Sequence, residues 1–272
     1  MQRHPTMIRT ILLLYLIGSL LSCQTPAPAG KLPENAPSLV LRDFGSWYQY
    51  HETRVRLAQD FRARDSSGAP MAPLGFLQAL AAGHHIAIRT SDSAGKPVYR
   101  LYPLPDTCRD IRATLQQLAG TELRNRAWEG RLLPPFDFTD LQGRHYTDTA
   151  TRGKILLLKG WFINCLACVQ EFPELNKLVE RYEKRDDVLF LSLARDPAPA
   201  LRAFLQRLPF RYATVADQTP YLEGKLGIDA YPTHLLVDAQ GKVRKVTQSL
   251  EDLLPWLRQL AQETPQNAAM PE

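Results

Sequence analysis

The chain has 272 residues and only four cysteines, no run of lysines and arginines, and no internal repeat. Its formal net charge is +5, and Arg3 and Arg9 at the very start supply two of those charges. So weak and scattered a balance leaves no electrostatic footprint for nucleic acid. The longest apolar run, Ile11 to Leu21, falls short of the ~20 residues that a permanent bilayer-spanning helix needs. No second close Cys/His pair accompanies Cys165 and Cys168, which argues against a four-ligand structural zinc. His84 and His85 are adjacent, so in a strand they face opposite ways and cannot share a metal. A hydrophobic content of 44% and a charged content of 22% are ordinary for a globular protein and exclude global disorder.

The start of the chain carries information. Arg3, His4 and Arg9 form a basic head, the apolar run follows, and small residues precede Cys23. Residues 1–22 have the layout of a secretory signal peptide. Leu20-Leu21-Ser22-Cys23 resembles a bacterial lipobox, which implies that Cys23 is acylated and heads the mature chain. An uncleaved anchor with an incidental cysteine is the alternative, and both place the remainder outside the cytoplasm. Residues 23–38, with Pro26, Pro28, Pro33 and Pro37, read as a semi-extended tether. Residues 263–272 read as a flexible tail. Cys108 has no evident partner and reads as a small buried hydrophobe.

Residues 39–120 read as a small α+β domain. Ser38 to Phe44 and Trp47 to Arg64 alternate like strands, and Asp65-Ser66-Ser67-Gly68 signals a turn. Pro73 to Ala82 reads as a helix that opens at proline and ends before Gly83. His85 to Thr90 and Val98 to Tyr102 read as strands around Ser93-Ala94-Gly95. Asp110 to Leu118 reads as a helix with Ile111, Leu115 and Leu118 on one face. No catalytic constellation stands out in this part. A partner-binding module and a folding aid both fit it. The polar run from Thr121 to Arg131, closed by Pro134-Pro135, reads as a linker over residues 121–134.

Residues 135–262 alternate strands and helices. Phe136 to Thr139 is a short strand. Ile155-Leu156-Leu157-Leu158 lies in a strand over Lys154 to Trp161 that is apolar enough to be buried on both faces. A helix is expected from Cys165 to about Lys184, a second buried strand over Val188 to Leu193, and a helix over Pro199 to Leu208. Thr233 to Asp238 and Lys242 to Val246 form a hairpin around Ala239-Gln240-Gly241. Leu250 to Gln262 closes the chain as a helix with Leu253, Leu254, Leu257 and Leu260 inward. This order implies an α/β mixed sheet with helices on both faces.

The chemistry centres on Trp161-Phe162-Ile163-Asn164-Cys165-Leu166-Ala167-Cys168-Val169-Gln170-Glu171-Phe172-Pro173. A buried strand ends at Trp161 and a helix begins at Cys165. Unpaired N–H groups and the positive dipole end there favour a thiolate, and the thiolate is the attacking species. Three residues apart on a helix, the two sulfurs are close enough to bond. Cys165 is therefore the exposed nucleophile and Cys168 the resolving thiol.

Four features make residues ~132–262 resemble a thioredoxin-fold domain of the TlpA/ResA type, the membrane-tethered disulfide reductases of bacteria. Trp161 stands four before the first cysteine. Cys165-Leu166-Ala167-Cys168 is the redox motif. Glu171-Phe172-Pro173 matches the family's Glu-x-Pro, with Pro173 expected to kink the helix. Tyr231-Pro232-Thr233 before Leu235-Leu236-Val237-Asp238 matches the strand after the family's cis-proline. The resemblance implies a thiol–disulfide oxidoreductase with no cofactor beyond its own disulfide and no metal. It places Trp161, Tyr231 and Pro232 where a partner binds. It implies exported protein thiols and disulfides as partners, an upstream membrane electron donor, and a location in the cell envelope, lipid-anchored and facing the periplasm or the exterior.

The sequence departs from the family at three places. Asn164 stands where tryptophan is frequent, and Leu166-Ala167 is neither Gly-Pro nor Pro-His. Lys159 takes the place, six before Cys165, of the buried acid of thioredoxins. Lys159 and Glu171 are expected beneath the disulfide, moving the proton of Cys168; the alternative is a snorkelling lysine and a surface glutamate. His234 is a further possible base. Two other functions stay open: a copper-delivery lipoprotein, which favours Cys-x-x-x-Cys plus a distant histidine, and a redox-inactive thioredoxin-like binding protein. A thiol peroxidase needs Thr or Ser three before its cysteine, where this chain has Phe162.

Overall fold

Aromatic residues decide the first part of the chain, though not in the way their β-propensity suggests. In the computed structural model, which describes residues 36–93 and 95–263, helices run over the two segments read as strands, α1 (Pro37–Val40) and α2 (Phe44–Arg54), and only the end of the second segment, Arg62–Arg64, is strand. The Asp43 side chain caps α2 by accepting from the Ser46 N–H at 2.6 Å. Trp47, Tyr50 and His51 then fall at helical spacing and are buried. Packing of that face overrides a modest preference for strand. The expected signal segment, Cys23 and nearly all of the tether lie outside the described residues, as does the tail after Glu263.

A four-stranded sheet follows, in the order β2 (Pro70–Met71), β1 (Arg62–Arg64), β4 (Lys96–Pro103), β3 (His85–Ser93). α3 (Pro73–Ala81) packs Phe76, Leu77 and Leu80 against it. The next helix, α4 (Arg109–Trp128), runs far beyond the expected end at Leu118. Residues 121–128 are therefore helix and not linker. Their polar side chains are satisfied by neighbouring segments, which is why polarity misled. Ile111, Leu115 and Ala119 of α4 join the core of this first part. Cys108, at the start of α4, is half-buried against the same core and is not fully enclosed.

The second part begins with a small hairpin, β5 (Asp137–Thr139) and β6 (His145–Thr147). Its main sheet has the order β11-β10-β7-β8-β9. β7 (Ile155–Trp161), β8 (Val188–Ala194) and β9 (Ala213–Val215) are parallel, and β10 (Thr233–Val237) is antiparallel to both β7 and β11 (Val243–Thr247). Every residue of β7 is buried, as a central strand covered on both faces requires. One face carries α5 (Leu166–Gln170), α6 (Phe172–Arg181), α7 (Ala198–Arg207) and α8 (Leu250–Glu263). The other is covered by a π-helical turn over Pro220–Lys225, the β5–β6 hairpin and Trp128 at the end of α4. This is a thioredoxin fold preceded by a small α+β part. β6, β9 and the π-helical turn were not foreseen; each is too short to leave a periodic signal.

Candidate active site

Strand period fixes what lies under the cysteines. Ile155, Leu157, Lys159 and Trp161 project to one face of β7. Ile155 and Leu157 meet Leu175 and Leu178 of α6. Trp161 meets Cys165, Cys168 and Phe172. Lys159, between them, lies under the active-site helix and has no exposed surface. Trp161 is equally buried, with Phe172, Phe204 and Phe210 around it at ring distances of 5.0, 6.1 and 6.1 Å. It is a core residue beneath the redox pair and makes no surface for a partner, so the expected substrate contact is corrected.

Cys165 and Cys168 are joined in a disulfide with Cα atoms 5.2 Å apart. Cys165 caps α5, and its sulfur accepts from the Cys168 N–H at 3.2 Å. That donor is one of the unpaired amides at a helix start and is placed to stabilise negative charge on this sulfur. Cys165 is less open than expected, at 8% exposure, whereas Cys168 has none. The asymmetry still separates the two roles: an outside disulfide can reach only Cys165. Leu166 beside it is 71% exposed, so the redox pair lies in an apolar rim.

Glu171 stands where α5 ends and α6 begins, one turn past Cys168. The expected single helix is split there, with Pro173 in the first turn of α6. Glu171 Oε2 accepts from Lys159 Nζ, and His234 Nε2 lies 3.1 Å from the same oxygen. The β7–β10 register sets His234 directly beside Lys159. Burial pushes the Glu171 carboxyl up, but the hydrogen bond of His234 and the charge and hydrogen bond of Lys159 outweigh it and hold the group below the usual carboxylate range. Burial lowers the Lys159 ammonium, against the pull of Glu171. Burial also lowers His234, which favours neutral imidazole. Tyr212, fully enclosed nearby, is raised by burial and by the Glu171 charge. Neither the snorkelling lysine nor the surface glutamate describes this arrangement. His234 is committed to Glu171 and fully buried, so nothing favours it as a ligand for copper.

The Tyr231–Pro232 bond is cis, as the resemblance implied. Both residues are half-buried at the surface, and Tyr231 packs against the cluster that holds Cys165 and Cys168. Phe162 meets Tyr231 edge to face at 5.7 Å. Arg195, at the carboxyl end of β8, lies 5.5 Å over the Phe162 ring and 5.4 Å over Tyr231, and pairs with Glu223 at 3.2 Å. Asp196 accepts from the Ile163 N–H at 2.8 Å and steadies the loop before Cys165. Neither residue was foreseen. The signal available was position: ligand sites of α/β sheets gather at the carboxyl ends of parallel strands.

The AhpC/TSA family model matches residues 130–246. The thiol-disulfide oxidoreductase ResA of Geobacillus thermodenitrificans is 30% identical over 127 residues, which is 46% of this chain and 73% of that protein. ResA of Bacillus thuringiensis subsp. konkukian is 26% identical over 60% of this chain and 95% of its own length. Among solved structures, a thiol-disulfide oxidoreductase from Bacteroides fragilis is 23% identical, with a TM-score of 0.44, over 48% of this chain and 99% of that one.

Proposed function

Because the chain belongs to the ResA family of thiol-disulfide oxidoreductases, we propose that it reduces disulfides of exported proteins while tethered to a membrane through acylated Cys23. It is an enzyme of thiol–disulfide exchange. The observation that carries the reading is the Cys165–Cys168 disulfide at a helix start, in which Cys165 keeps a little exposed surface and Cys168 none, in a chain with a cis-proline loop packed against the same cluster.

In the reducing direction the Cys165 thiolate attacks a partner disulfide. One partner sulfur leaves as thiolate and a mixed disulfide forms. Cys168 then loses its proton toward Glu171 and attacks the Cys165 sulfur. That step closes the Cys165–Cys168 disulfide and releases the second partner thiol, so two electrons have moved to the partner. Lys159 and His234 keep Glu171 ionised and aimed for this transfer. A membrane electron donor restores the dithiol. The reducing direction is supported by electrostatics. A strongly oxidising site stabilises its reduced form, chiefly through the thiolate, whereas Lys159 and Glu171 together offer no net charge and Leu166-Ala167 none at all.

Insulin reduction by dithiothreitol tests the activity, with Cys165→Ser as control. Wild type is expected to accelerate precipitation and Cys165→Ser to be inert, while Cys168→Ser accumulates the mixed disulfide. Equal rates for wild type and Cys165→Ser would mean a redox-inactive binding protein. A reduction potential near −270 mV supports a reductase, and one near −120 mV an oxidant, on the order of known dithiol proteins.

A further inference from the structure

Two residues near the end of α4 grip the chain on its approach to Pro232, and a third reaches Gln248 just past β11. Trp128 Nε1 donates to the Leu226 carbonyl at 2.8 Å. Arg124 Nη2 donates to Asp229 Oδ1 at 2.9 Å. Asn125 Nδ2 donates to Gln248 Oε1 at 3.1 Å. Gln248 is brought there by the β10–β11 register, in which His234 faces Thr247, so that the next residues outward are Thr233 and Gln248. Gln248 Nε2 donates to Thr233 Oγ1 at 3.4 Å, and that hydroxyl donates to the Ala230 carbonyl at 2.5 Å. The last bond straddles the cis Tyr231–Pro232 peptide.

The direction of this series is fixed by its donors. Thr233 has one hydroxyl proton, given to Ala230, so it can only accept from Gln248. The Gln248 amide nitrogen must then face Thr233, which leaves its oxygen for Asn125. Asn125 and Thr233 are both buried, where an unpaired amide is costly. The loop is thus held by a continuous path from α4.

The same helix is tied as firmly to the first part of the chain. Ile111, Leu115 and Ala119 lie in the core of the first part. Arg126 Nη2 donates to the carbonyls of Leu57 at 2.6 Å and Gln59 at 3.1 Å, and its guanidinium lies 5.6 Å over Phe61. Gln59 and Arg56 reach Asp252 and Glu251 at the start of α8, at 2.7 and 2.9 Å.

We propose that residues 39–128 are a positioning module whose α4 is a strut setting the pose of the Ala230–Thr233 loop against Cys165, with Asn125 and Gln248 as positioning residues for the bound peptide. The proposal rests on the reading above, in which this loop receives the partner.

Asn125→Leu and Gln248→Met test it in the full chain; each keeps approximate volume, the first removing one link and the second two. Amide hydrogen exchange over residues 226–236 is expected to quicken on the order of fivefold, as loss of one net hydrogen bond implies, while α5 and α6 stay unchanged. KM for a disulfide-bonded peptide should rise by a similar factor, with the rate of a small reagent such as 5,5′-dithiobis(2-nitrobenzoate) at reduced Cys165 unaltered. Unchanged exchange in both variants overturns the strut, and so does equal quickening at α5, which a merely structural role would give. Loop exchange that quickens with KM unchanged overturns its service to the substrate. Wild type inert toward the peptide overturns the functional reading instead, and the exchange arm still judges the strut.

Discussion

Lys159 and Glu171 stand twelve residues apart in sequence and form an ion pair beneath the helix that carries the redox cysteines, with the lysine wholly buried. A buried pair of this kind is costly to break and cheap to replace as a unit. Its value here lies in what it holds in place: a carboxylate one turn past Cys168.

Glu171→Gln removes the proton acceptor with little change in shape. Disulfide exchange at neutral pH should fall on the order of a hundredfold. The pH profile should change form as well, since the amide cannot ionise. Glu171 titrates below the usual carboxylate range, so stopped-flow kinetics of mixed-disulfide resolution from pH 7 down to about pH 3 read this directly. A profile parallel to wild type would exclude Glu171 from the proton path.

Lys159→Met leaves Glu171 buried with His234 alone. It should cost about 3 kcal/mol of stability, and the freed carboxyl should titrate higher than in wild type. Urea denaturation gives the first quantity and the pH profile of exchange the second. Lys159→Met combined with Glu171→Leu should recover most of the stability and none of the activity. Failure of the double variant to recover stability would mean that the lysine acts through packing alone.

Arg195→Ala removes the guanidinium that lies over both Phe162 and Tyr231. KM for a peptide disulfide should rise about threefold, the scale of a partly exposed cation–π contact, with kcat unchanged. Arg195→Lys should not restore it, because a planar stack is lost. A change confined to kcat would place Arg195 in the chemical step instead.

Glu122 lies buried in a 160 Å³ cleft with His51 and Asp252, and burial raises its carboxyl from 4.5 to about 7. Its folded pKa exceeds the unfolded one, so the folded state binds the extra proton between those values. Its contribution is full below about 4.5 and lost as pH rises through about 7. Glu122→Gln should therefore gain on wild type by several degrees in Tm between pH 5 and pH 8. His51, held near 4 by burial, tilts both proteins alike and cancels in the difference. A difference that is flat with pH would show that Glu122 stays ionised.

The redox motif, the cis-proline and the strands β7, β8, β10 and β11 were legible in the sequence because each carries a strong local signal: a cysteine spacing, an aromatic–proline–threonine triplet, or a continuous apolar run. The resemblance put Trp161 at the partner surface, whereas it is wholly buried. Counting by twos from Leu157 and Lys159 turns it inward. Trp47 to Arg54 looked like strand because Trp47, Tyr48 and Tyr50 favour strands, yet the i, i+3, i+4 spacing of Trp47, Tyr50 and His51 was also there to read. The end of α4 was hidden for another reason. Arg124, Asn125 and Trp128 are matched by Asp229, Gln248 and Leu226, far along the chain, and no local pattern reveals that.

The helix α4 lends Ile111, Leu115 and Ala119 to one core and Trp128 to the other. Melting one core strips packing from the next through that shared rod. Heat should therefore unfold residues 39–262 in one cooperative transition, with a single calorimetric peak where two independent beads on a string would give two. A chain cut at residue 129 would lose the rod from its redox half.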